Sequence, residues 1–278
     1  MKMKIIDAAG ATATMTPPLS LAEHLPTLFG SDRYPMADLK ATYKTPRVAR
    51  IYGPTGMPLG ADLNAVPDSV TLIHVSFKGP TQPAAVKAAL QVARRPGRRI
   101  VIETLHEMDR AVLKGGPTPT AYHANYQVLA DTVRALDPTG TELGLIQTFM
   151  AWAQRHAPDR GWRQFARDDV DLVGVDIEWD STFGTSAYPK PDPLQAIALE
   201  IRDAHPAKAP LTYPEYAWPQ QPFDTNGTGL AEMYIEHTDY ADTNDVYAMN
   251  IYDTDGTTGK YKLATGSPAL AAVQKIIG

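Results

Sequence analysis

The chain has 278 residues, which suits one large barrel or two small domains. It carries 31 acidic against 26 basic side chains, a net charge of −5 with no basic run, and this argues against a nucleic-acid partner. It has no cysteine, so thiolate catalysis, disulfides and cysteine–metal sites are excluded, and no apolar run approaches the ~20 residues of a membrane span.

Residues 1–24 read as a flexible leader, biased to Ala, Thr and Pro, with lysines but no signal-peptide apolar core. Residues 25–278 read as one domain. Strands are expected near Thr27–Gly30, Arg47–Gly53, Ser69–Lys78, Arg99–Leu105, Glu142–Thr148, Asp171–Ile177, Pro210–Pro214 and Val246–Ile251. Many of these runs are short, rich in branched residues and bounded by turn residues, as buried parallel strands are. Between them, Pro83–Arg94 opens on a proline suited to a first helical turn and continues with strong helix formers. Thr120–Leu136 sets Tyr122, Tyr126, Leu129 and Val133 at three- and four-residue steps, one apolar face. Pro193–Ala204 and Pro268–Ile277 also read as helices, and the second crossover is short. Eight strands alternating with helices predict an α/β fold, a single-domain (β/α)₈ TIM barrel. The open doubly wound sheet is the rival, but neither glycine-rich phosphate-loop pattern of such sheets occurs here.

Catalytic side chains of such barrels stand at the C-terminal strand ends. Glu107 follows the fourth strand, Glu178 the sixth and Glu215 the seventh. Glycoside cleavage needs two carboxyl groups, one to protonate the leaving oxygen and one to attack the anomeric carbon or activate water. Strands four and seven lie across the ring from each other, so Glu107 and Glu215 can meet over a bound sugar. His106 adjoins Glu107 as a substrate ligand or an orienting group. Tyr52, Trp152, Trp179, Tyr216, Trp218 and Tyr252 lie at or near strand ends and suit stacking on pyranose rings. Lys78, Asp176 and Asn250 are candidate hydroxyl ligands, and Glu178 is a candidate third carboxyl of the site. Alternation along strand four points Glu103 inward, where a lone carboxylate is costly, so Arg47 or Arg50 on strand two is the candidate partner.

His106-Glu107-Met108-Asp109 resembles the HEM[ND] motif of family 26 glycoside hydrolases. Val170–Asp176 (VDLVGVD) is similar to that family's VDxVGxD segment, and PLTYPE to the strand that delivers its nucleophile. The three segments run in the family's order. The resemblance implies a retaining (β/α)₈ hydrolase, mannanase-like and acting on a β-linked polysaccharide or oligosaccharide, with Glu107 as acid/base and Glu215 as nucleophile. It implies no cofactor and no metal, and an extracellular setting although no signal peptide is visible. A monomer with no membrane partner is expected. The chain departs from the family at Glu103, where arginine is usual, at Glu178, where many members have tyrosine, and at Ala217, where glycine is frequent. An inverting hydrolase, with its carboxyls about 6.5–9.5 Å apart, is one alternative, and two further rivals stand beside this reading. One is a non-catalytic carbohydrate-binding barrel. The other is a metal hydrolase built on His74, His106, Asp176 and Glu178, for which the usual H-x-H and H-E-x-x-H patterns are missing.

Overall fold

The computed structural model describes residues 26–31, 36–53, 60–109, 116–156, 161–179, 187–190, 192–253 and 261–278, with 5–6 and 12–13. All eight expected strands form: β1 Leu28–Ser31, β2 Val48–Gly53, β3 Leu72–Phe77, β4 Arg99–Thr104, β5 Leu143–Met150, β6 Leu172–Glu178, β7 Leu211–Ala217 and β8 Ala248–Ile251. They pair in parallel with their sequence neighbours, and β8 closes on β1. A helix follows each strand: α1 Met36–Thr42, α2 Gly60–Ala65, α3 Pro83–Ala93, α4 Pro119–Leu136, α5 Ala151–His156, α6 Pro193–Ala204, α7 Thr228–Thr243 and α8 Pro268–Ile277. This is a (β/α)₈ barrel. In the segment read as a leader, Ile5–Ile6 pairs antiparallel with Thr12–Ala13, and the rest of residues 1–24 lies outside the described residues. No helix among the described residues is long and apolar enough to cross a membrane.

Local chemistry sets the helix starts. Asp192 caps α6 through Leu194, Thr118 caps α4 through Ala121 and Ser267 caps α8 through Leu270, each with proline in the first turn. The four spaced residues of α4, Tyr122, Tyr126, Leu129 and Val133, are all buried, so its apolar face packs on the barrel as the spacing requires.

The barrel interior changes character along its axis. Val48, Leu72, Val101, Ile146, Leu172 and Ala248 fill its N-terminal end as an apolar plug. One step further along the inward-facing positions come Arg50, His74, Glu103 and Thr148, all buried. Placing charge on strands so far inside is costly unless each group finds a partner. Gly30 is required by proximity: a β-carbon there would lie 2.6 Å from the Val48 carbonyl carbon and closer still to its oxygen. The β1–β2 pairing, Gly30 against Val48, depends on that close approach.

The seventh strand carries one extra residue. Gly174 pairs with Thr212, but Ile177 pairs with Tyr216, so the register slips by one between them. Against β8 the slip places Pro214 and Glu215 together opposite Asn250. Ordinary alternation from Thr212 turns Pro214 inward, where its ring approaches Gly174, and the bulge then turns Glu215 inward too. Proline has no N–H to give to the ladder and is tolerated at such a bulge. The expected strand Pro210–Pro214 therefore does not stop at its proline and runs on to Ala217.

Candidate active site

Arg50 is the hub of the C-terminal mouth. It is 1% exposed. Its Nη1 lies 2.9 Å from Asp176 Oδ1 and 3.0 Å from Glu215 Oε1, and its Nη2 lies 3.3 Å from Glu103 Oε1. Nε donates to Ser76 Oγ at 3.2 Å. Burial works against the guanidinium's charge, but Asp176, Tyr52, Glu215 and Glu103 outweigh it and raise its pKa well above the ordinary value. Of the two partners considered for Glu103, Arg50 is the one used; Arg47 reaches Thr71 instead.

Glu103 also accepts from Ser76 Oγ (2.5 Å) and the Thr148 backbone N–H (3.1 Å), and lies 3.1 Å from His106 Nδ1. Burial alone would raise its pKa; His106, Arg50 and Ser76 bring it down to about 2. Arg50 Nη2 is nearly equidistant from the two His106 nitrogens, 3.0 and 3.3 Å, so it lies over the ring face and leaves both in-plane N–H positions for carboxylates. Nε2 accordingly lies 3.6 Å from both Asp176 Oδ2 and Glu215 Oε1, and 3.9 Å from Glu107 Oε1. Burial and Arg50 oppose a charge on His106, but Glu103 and Glu107 overcome them and lift its pKa well above the usual range.

Glu107 sits in the turn after β4 and is half-buried. Its φ is +54°, and that of Leu105 is +52°, a left-handed backbone that non-glycine residues seldom adopt and that is often stored at functional sites. The next residues anchor this turn: Met108 is buried, and Asp109 accepts from the Met150 N–H at 3.0 Å and Gln154 Nε2 at 2.7 Å. Glu107, Glu178 and Glu215 each offer an oxygen within 4.8 Å of the other two. Tyr52, half-buried at the end of β2, donates its hydroxyl to Glu215 Oε1. Burial would raise the Glu215 pKa, yet Arg50, His106 and a hydrogen bond from Glu178 hold it well below the carboxylate range. Glu178 moves the other way, pushed up by burial, then by Glu215, Glu107 and Asp176. Burial also lifts Asp176 against the pull of Arg50.

The groups His106–Glu107–Asp176 and Glu107–Glu178–Glu215 have the separations that could hold a metal ion. His74 belongs to neither. It lies on the barrel interior, where burial and Arg50 lower its pKa to about 3 and keep it neutral.

Several expected sugar ligands lie elsewhere. Tyr216 and Trp218 are fully buried. Because the bulge spends the inward position on Glu215, Tyr216 faces the helices. Its hydroxyl donates to Asp192 Oδ2 at 3.0 Å and meets His237 Nδ1, and the Trp218 indole N–H donates to the same Asp192 oxygen at 3.1 Å. Trp179 is 5% exposed, with its indole N–H on Asp192 Oδ1 (3.3 Å) and Arg155 over its ring. These three are packing residues. Asn250 is buried and donates to the Pro214 carbonyl at 3.1 Å, so it braces the bulge, not a hydroxyl. Asp176, fully buried, pairs with Arg50 through Oδ1 and stands beside His106 and Glu107. Lys78 is exposed, its ammonium 5.7 Å from the centre of the Tyr52 ring. Trp152 is half-buried against His156, and Tyr252 half-buried against Tyr261. The reading from sequence missed Arg50 as a hub and Ser76 and Asp109 as supports. The signal for Arg50 was the need of an inward Glu103 for a cationic partner, which named it beside Arg47 but did not reach Asp176 or Glu215.

No protein-family model matches the chain, and no curated protein sequence does. Solved structures do. The catalytic domain of Bacillus sp. JAMB-750 GH26 endo-β-1,4-mannanase superposes with a TM-score of 0.57 at 11% identity, covering 90% of this chain and 85% of that one. The exo-β-1,4-mannosidase of Opitutaceae bacterium strain TAV5 gives 0.62 at 10% identity, over 99% of this chain and 61% of that one. The Podospora anserina GH26-CBM35 β-(1,4)-mannanase gives 0.51 at 11% identity, over 91% and 61%. The chain thus spans about three-fifths of the length of the latter two. In fold, though distantly in sequence, this chain resembles the family 26 glycoside hydrolases.

Proposed function

We propose that the chain is a retaining glycoside hydrolase of β-linked glycans, with Glu215 as nucleophile and Glu107 as acid/base. The observation that carries this reading is the approach of Glu107 and Glu215, an oxygen of each within 4.8 Å of the other. Retaining pairs stand about 5–5.5 Å apart and inverting pairs about 6.5–9.5 Å, so the spacing favours direct attack over an interposed water. The charges agree with the roles. Arg50, His106 and Tyr52 all address Glu215 Oε1, which keeps the carboxylate ionised and fixed in orientation. Glu107 projects from a turn at the mouth, where it can meet a glycosidic oxygen. In the first step Glu107 protonates the leaving oxygen while Glu215 attacks C1. In the second, Glu107 takes a proton from water, which releases the sugar from Glu215. The neighbours named as mannanases and a mannosidase make β-1,4-mannan the first substrate to try, and a polymer of that kind suits work outside the cell.

The test is a screen of mannans, xylans and mixed-linkage glucans with the product anomer read by NMR, on wild type and Glu215→Ala. Wild type should release product with retained configuration, and the variant should fold and be inactive. Equal hydrolysis by both proteins would remove Glu215 from the chemistry, and an inverted first product would remove the double displacement.

A further inference from the structure

The mouth holds five carboxyl groups, Glu103, Glu107, Asp176, Glu178 and Glu215, against the two cations Arg50 and His106. The cations are unevenly shared. Arg50 lies within 4.0 Å of Glu103, Asp176 and Glu215, and His106 within 4.0 Å of Glu103, Glu107, Asp176 and Glu215. Among the described residues no lysine, arginine or histidine nitrogen comes that close to Glu178. Yet Glu178 ends β6 beside the end of β7, with Glu178 opposite Ala217, and stands within 4.8 Å of Glu215 and Glu107. The charged and titratable groups around it are Glu215 from β7, Glu107 from the turn after β4 and Asp176 from its own strand. From α5, Arg155 stands over the adjacent Trp179 ring, 5.2 Å from its centre.

Two ionised carboxylates have acceptors only and repel each other; a hydrogen bond between them requires a proton on one. Glu215 has Arg50 at 3.0 Å to stabilise its charge, and Glu178 has no such partner among the described residues. We propose that Glu178 is a positioning residue that carries a proton through the reaction and donates it as a hydrogen bond to the Glu215 carboxylate. This rests on the reading of Glu215 as nucleophile. The upward shift of Glu178 and the downward shift of Glu215, caused in part by each other, agree with the assignment. Loss of the Glu178 proton breaks the hydrogen bond and sets a second negative charge against Glu215, so the alkaline limb of activity belongs in part to Glu178.

The variants are Glu178→Gln, whose amide still donates but does not titrate, and Glu178→Ala, which does neither. The readout is kcat/KM against pH for 2,4-dinitrophenyl β-mannobioside. Its leaving group departs without protonation, so Glu107 drops out of the first step. Wild type should fall about tenfold per pH unit on the alkaline side. Glu178→Gln should stay within about tenfold of wild type at acid pH and have that limb moved to higher pH, and Glu178→Ala should be slower at every pH. A limb in Glu178→Gln that coincides with wild type, or a loss equal to that of Glu178→Ala throughout, overturns the proposal. A second readout is independent of turnover. A carboxyl whose folded pKa is raised costs stability as pH climbs from its ordinary value through the raised one. The Tm advantage of Glu178→Gln over wild type should therefore widen as pH climbs above the ordinary 4.5. A widening gap in a protein that cleaves no glycoside would sustain the shared proton and discard the hydrolase. A gap that is flat with pH discards the shared proton whatever the activity.

Discussion

Replacing Arg50 with methionine should be among the most damaging single changes in the barrel, and its pH dependence should identify the cause. The side chain is fully buried and pairs with Glu103, Asp176 and Glu215. Methionine fills much of the same volume but leaves those carboxyls without their shared cation. Removing one partner of a buried ion pair costs about 3–5 kcal/mol, a large part of the roughly 5–15 kcal/mol that holds a domain folded. For a chain of this length the melting temperature should fall by roughly 6–20 °C. Urea titrations followed by tryptophan fluorescence at several pH values give the full answer. In wild type, Glu103 has a folded pKa of about 2, below its ordinary 4.5. Its stabilisation is complete above pH 4.5 and is lost as pH falls through about 2. In Arg50→Met, Asp176 and Glu215 lose the cation that lowers their pKa, so folding takes up protons. Each such proton adds up to about 1.4 kcal/mol of stability per pH unit of acidification over the range in which it is taken up. The variant should thus recover on acidification. A loss below ~1 kcal/mol at pH 7, or one that deepens as pH falls towards 5, would refute the view that these acids depend on Arg50.

Two further perturbations probe the frame around the site. Gly30→Ala drives a methyl group into the Val48 backbone, and should cost about 1–3 kcal/mol or more, read as a lower Tm, because a backbone carbonyl cannot rotate away. Asp192→Ala removes the cap of α6 and the shared acceptor of Trp179, Tyr216 and Trp218. At about 1 kcal/mol for the cap and 1–3 for each of the two indole N–H groups that lose this acceptor, with Tyr216 keeping His237, urea unfolding should register a loss of at least ~3 kcal/mol, with Asp192→Asn milder because its amide oxygen still accepts.

Much of the fold was legible because barrel strands buried on both faces read as short branched runs, and all eight runs form strands. The helix α2 was not legible, since six residues are too few to show a period. The strand ends carrying Glu107, Glu178 and Glu215 could also be located. What stayed hidden depends on register around the ring. Arg50 meets Asp176 and Glu215, 126 and 165 positions later, only because closure brings β2 across from β6 and β7. Tyr216 and Trp218 look like sugar platforms beside Glu215 in the sequence. Their orientation follows from a bulge that only the pairing of β6, β7 and β8 reveals.

That bulge makes the chemistry hinge on a count. Pair the intact strand from Thr212 in plain alternation, with no residue left over, and it keeps its length and its neighbours. The phenol of the next tyrosine would then look into the cup, and the carboxylate would look out at the helices. Such a strand can exchange most of its side chains and still aim residue 215 inward, so long as two residues, and not one, stand opposite Asn250.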